Sequence, residues 1–164
     1  MKLRKLILMA LFIAISFIGA NIKIAGTIAF DSMAGFLGTL ILGPAYGALI
    51  GAAGHFLTAV TSGFPLSLPV HLIVMVDMAL TMYIFGVLYR SISKKNSRLA
   101  MVIASIAGIM INGPISILMV MPIIGSGILA MLPILCLAAF LNVLIANFVY
   151  KFLPEEIKLW KAGK

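Results

Sequence analysis

Residues 6–20 read Leu-Ile-Leu-Met-Ala-Leu-Phe-Ile-Ala-Ile-Ser-Phe-Ile-Gly-Ala, fifteen positions with one hydroxyl and no charge. A membrane β-strand shows apolar residues alternating with polar ones over about ten positions, because one face meets lipid and the other a lumen. This run does not alternate. Its length and unbroken apolarity belong to a helix that crosses hydrocarbon, which takes about 20 residues. The rest of the chain repeats the pattern: 63% of its 164 residues are hydrophobic and 10% charged, with a mean hydropathy of +1.24. A soluble domain carries about 25% charged residues. So few charges cannot coat a globule in water, and the reading is an all-α integral membrane protein of one domain, residues 1–164.

The net charge of +8 would suit a nucleic-acid binder if the basic residues formed a surface patch. They flank apolar runs instead: Lys2, Arg4 and Lys5; Arg90, Lys94, Lys95 and Arg98; Lys151, Lys158, Lys161 and Lys164, with Lys23 apart. Lys and Arg concentrate in cytoplasmic loops, so the clusters mark one side and no nucleic-acid partner is expected. Between the first two clusters, breaks at Asn21–Asp31, Gly43-Pro44 and Ser62–Pro69 leave runs at about 6–22, 32–44, 46–61 and 70–89. Between the last two, a break near Pro122–Gly127 leaves 99–120 and 130–150. Six crossings return the chain to the basic side each time a cluster requires it. The expectation is a compact six-transmembrane-helix bundle with both termini cytoplasmic, set in the lipid bilayer. The second run is short, and Gly43-Pro44 ends a helix. A basic start followed by an apolar core also has the form of a secretory signal, although Ser16–Gly26 lacks a strong cleavage sequence. The single Cys136 permits no disulfide within the chain.

This topology collects polar groups at the outer side. Gly54–Leu72, GHFLTAVTSGFPLSLPVHL, holds both histidines, His55 and His71, with Thr58, Thr61, Ser62, Phe64 and Ser67. Asp31 and Ser32 open the second run. Asp77, in LIVMVDMALTMYIF, lies within the fourth; a carboxylate there costs about 2.5–3.5 kcal/mol on insertion scales and must face protein or a watery cavity. His55 is the expected partner of Asp77, and Met75 and Met78 are candidate lining. Asn112 precedes Gly113-Pro114, where a proline frees a carbonyl and opens a polar spot in the helix. Asn142 is a second candidate, whereas Asn147 reads as a contact between helices. His55, His71 and Asp77 are spaced sixteen and six apart, unlike any compact metal-ligand motif, so no metal or other cofactor is expected. No P-loop, G-x-S-x-G or H-E-x-x-H occurs, and the chain is read as a non-enzyme. Small residues at Ala10 and Ala14, and at Gly43, Gly47 and Gly51, mark close helix approaches.

A six-helix protein of this size with Ala10-x-x-x-Ala14 on its first helix resembles the substrate-binding S-component of an energy-coupling factor (ECF) transporter. The run from Phe30-Asp31-Ser32 through Gly63-Phe64-Pro65 to His71 is similar to the CblT subfamily of α-ribazole transporters. The resemblance implies capture of α-ribazole, the nucleoside precursor of the cobalamin lower ligand, at the outer face of a prokaryotic plasma membrane. It also implies partners: the coupling subunit EcfT, docked through Ala10 and Ala14, with two ATPase subunits that drive uptake. A flat aromatic base would stack on Phe64, Tyr83 or Met78. Ribose hydroxyls would pair with Asp31, Asp77, His71, Asn112 and Asn142, with Ser32, Thr61 and His55 nearby. Asp77 is the expected principal acceptor. An S-component for pantothenate, a thiamin precursor or cobalamin remains an alternative, as does a small membrane enzyme or assembly factor.

Overall fold

Inside a bilayer every backbone N–H and C=O must be bonded within the protein, so apolar runs become helices. The computed structural model describes residues 2–21, 23–24 and 28–158, and shows seven α-helices making six segments. They are α1 (Lys2–Gly19), α2 (Ser32–Leu42), α3 (Pro44–Thr61), α4 (Leu68–Ser93), α5 (Ser97–Met110), α6 (Ser116–Ile124) and α7 (Leu132–Phe152). A π-helical turn, Ile111–Ile115, joins α5 and α6 into one segment, and a 3-10 helix, Ser126–Met131, leads into α7. Between α1 and α2, β1 (Lys23–Ile24) and β2 (Ile28–Ala29) make a two-residue antiparallel ladder. Three segments, Leu68–Ser93, Ser97–Ile124 and Ser126–Phe152, are long and apolar enough to cross a membrane. Lys161 and Lys164 of the last basic cluster lie outside the described residues.

The first turn of α1 and the residues that follow α7 meet at one end of the bundle. Arg4 Nη2 donates to the Glu156 carbonyl at 3.1 Å, and Lys158 pairs with Glu155 at 2.6 Å. Lys5 lies over the Tyr46 ring and Lys158 over Tyr150. The α4–α5 turn with Lys94 and Lys95 belongs to the same end, where Asn96 caps α5 by accepting from the backbone N–H of Arg98 and Leu99.

Two sequence features are settled by sterics. Gly43 joins α2 to α3 at φ 102°, a conformation a Cβ disfavours, and Pro44 then begins α3 at the first-turn position proline tolerates. Pro114 removes a backbone donor and the helix relaxes into the π turn rather than breaking. Pro122, expected at a break, sits inside α6, and the interruption comes at Gly125, φ 92°. The break follows the residue able to take positive φ, not the proline. The small-residue ladder serves two neighbours. A Cβ on Gly47 would strike Thr39 of α2, and one on Gly51 would come within 2.9 Å of Met82 and 3.0 Å of Met78 on α4.

The length mismatch between α2 and α3 shapes the other end. α2 has 11 residues and α3 has 18, about 16 Å against about 27 Å at 1.5 Å per residue. Starting together at Gly43, they leave a recess of about 10 Å above the first turn of α2. Below it lies the main apolar core, with Phe36 edge-on to Phe85 at 5.1 Å between centroids and Leu40, Ile50 and Met82 fully buried. A smaller cluster of Val70, Ile117, Val120 and Ile128 walls the recess.

Candidate functional site

Polar side chains reach the recess from five segments. The start of α2 puts Asp31 and Ser32 at its floor, α3 brings His55 and Thr58, and α4 brings His71. The π turn brings Asn112, α6 brings Ser116, and α7 brings Asn142. The cavity, with the open space at its mouth, encloses about 1050 Å³ of empty volume. Apolar walls come from Val70, Val74, Met78, Ile117 and Leu135. Six sequence-predicted site residues therefore converge: Asp31, Ser32, His55, His71, Asn112 and Asn142.

Hydrogen bonds hold this lining in place. Ser16 of α1 donates to the Asp31 carbonyl at 2.8 Å, and Gly54 of α3 leaves room for the Ser16 side chain. Asn142 Oδ1 accepts from the Met33 N–H at 2.8 Å, satisfying one of the open donors at the start of α2, while its Nδ2 donates to the Ala138 carbonyl at 2.9 Å. Asn112 Nδ2 donates to Ser32 Oγ at 3.2 Å. The N-terminus of α2 is thus clamped between the π turn and α7.

The two histidines form a chain with Asp31. His55 Nδ1 lies 3.4 Å from Asp31 Oδ2, and His55 Nε2 lies 3.2 Å from His71 Nδ1. The expected pairing of His55 with Asp77 is corrected here: helical spacing places His55 level with the start of α2, whose carboxylate its ring meets. Phe64 stacks obliquely on His71, 5.8 Å between centroids.

Four predicted residues lie outside the lining. Thr61 is exposed and donates to the Leu57 carbonyl of its own helix. Phe64 packs on Phe56 and His71 above the cavity. Tyr83 is half exposed on the outer surface of α4. Asp77 is completely buried; its carboxyl faces the Ser116 hydroxyl without a well-formed hydrogen bond among the described residues, and Thr81 Oγ1 one turn on has no partner among them. Met78 lines the cavity and Met75 does not. Asn147 donates to Ser105 of α5 at 2.8 Å, away from the cavity. Thr58, one of the hydroxyls that sequence reading placed in the polar lining of Gly54–Leu72, does line the cavity; Ser116 was missed, although it follows Asn112 by four, a helical same-face spacing.

The loop over the cavity is held in unusual backbone geometry. Phe64 has φ 51° and Ser67 φ 125°, ψ 157°. The Ser67 region is one that essentially only glycine occupies at ease, at a cost of order 1–3 kcal/mol. Among the described residues no three of His, Cys, Asp and Glu converge to hold a metal ion.

Ala10 and Ala14 occupy another surface. Both are exposed on α1, beside Leu3, Ile7, Leu11 and Ile18, on the face opposite Ser16, which turns inward.

The family model described as "ECF transporter, substrate-specific component" matches residues 4–154. No curated protein matches the chain. No solved structure matches it.

Proposed function

The chain belongs to the substrate-specific component family of ECF transporters, and from that premise we propose that its ligand is α-ribazole. Its general work follows from membership: it is a membrane-embedded, substrate-binding subunit that serves an importer with EcfT and ATPase subunits, and not an enzyme. The observation that carries the narrower reading is the composition of the cavity. One carboxylate, two imidazoles, two amides and four hydroxyls surround a space otherwise walled by aliphatic side chains, Met78 and Met131. α-Ribazole is neutral, with a flat apolar base and a hydroxylated sugar. The base suits the aliphatic wall and Met78, and the sugar hydroxyls suit Asp31, His71 and the amide groups. Among the described residues no Lys or Arg lines the cavity to compensate a carboxylate or phosphate.

On this reading the cavity faces outward in a prokaryotic plasma membrane, and the basic end with both termini faces the cytoplasm. Ala10 and Ala14 form the flat, exposed strip of α1 on which the coupling subunit docks, since small residues allow a close helix approach. The test is titration calorimetry of the purified protein against α-ribazole, pantothenate, a thiamin precursor and cobalamin. Saturable binding of α-ribazole alone is expected. Binding of another member of the panel without α-ribazole would replace the ligand while leaving the family role intact.

A further inference from the structure

The Asp31–His55–His71 chain has a direction, set by its first member. An ionised carboxylate only accepts hydrogen bonds, so the nitrogen facing Asp31, His55 Nδ1, carries a hydrogen. A neutral imidazole has one hydrogen, which leaves a lone pair on His55 Nε2 to accept from His71 Nδ1. The rule passes on once more: His71 Nδ1 holds the hydrogen, and Nε2 is left with a lone pair. That Nε2 is buried and has no hydrogen-bond partner among the described residues, on a side chain that lines the cavity. An unmet acceptor in a buried place costs about 1–3 kcal/mol, so the chain ends on a group that gains from a donor.

We propose that Asp31 and His55 are positioning residues that fix the tautomer of His71, so that His71 Nε2 meets the ligand as an acceptor and the site selects ligands bringing an O–H or N–H donor. This rests on the ligand-binding reading above and adds the polarity of recognition. The rest of the lining agrees. Asn112 and Asn142 already direct an amide N–H each to Ser32 and Ala138, and Asp31 is an acceptor throughout. A carboxylate or phosphate would bring lone pairs to meet lone pairs.

One proton reverses the chain. If His55 carries hydrogens on both nitrogens, His71 Nδ1 must accept, and Nε2 becomes the donor. The charged or titratable groups that act on the pair are Asp31 at the start of α2 and Asp77 on α4. Affinity for a donor ligand should therefore be lost when the relay takes up that proton.

The experiment has two arms. The first is ¹⁵N NMR of histidine-labelled, ligand-free protein in nanodiscs at neutral pH. Hydrogen on Nδ1 and a bare, pyridine-type Nε2 are expected for both rings; hydrogen on His71 Nε2 overturns the proposal whatever the ligand is. The second is calorimetry with α-ribazole and its 2′-, 3′- and 5′-deoxy analogues. One analogue should bind the wild type about 10-fold more weakly, and that gap should vanish in His71→Phe and shrink in Asp31→Asn. His71→Gln, which keeps an acceptor of similar reach, should retain part of it and guards against a folding defect in the phenylalanine variant. Equal binding of all analogues to the wild type, or a gap that persists in both His71 variants, overturns the proposal. If α-ribazole does not bind at all, the ligand assignment falls and the NMR arm still decides the relay.

Discussion

Asp31 and Asp77 are the only aspartates in the chain, and they sit in two regions that treat a carboxylate in opposite ways. Asp31 lies in the recess above a short helix, partly reachable, with a histidine 3.4 Å away and its own carbonyl held by Ser16. Asp77 lies outside the cavity lining, fully buried, facing the Ser116 hydroxyl without a well-formed hydrogen bond among the described residues. Both stand against apolar neighbours. The difference is made by α2: because it stops after 11 residues, the space beside α3 opens to polar groups from four other segments, whereas the side of α4 carrying Asp77 stays covered. Depth in the membrane did not decide which carboxylate lines the cavity. Helix length did.

The comparison can be broken most directly at Asp31. If the proposed ligand and relay hold, Asp31→Ala removes the acceptor at the head of the relay and should weaken α-ribazole binding by about 10- to 100-fold, since hydrogen bonds to charged groups contribute about 1.5–3 kcal/mol. Calorimetry reads this, and an unchanged affinity would move the site elsewhere. Asp77→Leu should do the reverse: affinity within about threefold of wild type, and a fold more stable by about 1–2 kcal/mol in thermal or denaturant unfolding, because an unpaired buried polar group is replaced by an apolar one. A large loss of binding in that variant would mean that Asp77 reaches the ligand after all, erasing the contrast.

The loop above the cavity offers a smaller effect. Ser67→Gly should add about 1 kcal/mol of stability, because glycine takes φ 125° without the strain a side chain incurs there; the melting temperature of the detergent-solubilised protein reports it. The smallest effect is expected on α7, where two asparagines repeat the contrast. Asn147→Ala breaks a bond to Ser105 outside the cavity and should cost about 0.6 kcal/mol, the usual worth of such a contact between membrane helices, with ligand affinity unchanged.

Much of the site can be read from the residues in order. Asp31, Ser32, His55, His71, Asn112 and Asn142 stand out because a polar group inside an apolar run must have a reason to be there, and these six do share one cavity. The short second helix is visible too, from the Gly43-Pro44 break. Partnership is not. His55 is equally spaced, to the eye, for Asp77 on the next helix or Asp31 on the previous one; only the packing of α2 on α3 brings Asp31 to it. Tyr83 and Asp77 share α4 with His71, but helix rotation turns Tyr83 to the outer surface and Asp77 into the wall.

The sequence by itself determined the solvent, the number of segments and the end at which the basic residues gather. These follow from composition and run length, which act through transfer free energies that each residue contributes locally. The tertiary structure alone decided which polar residues face one another, because a cavity is a property of neighbouring helices with different lengths and rotations. The acceptor chain from Asp31 through His55 to His71 belongs to that second kind. It exists where three segments meet, and no stretch of the sequence contains it.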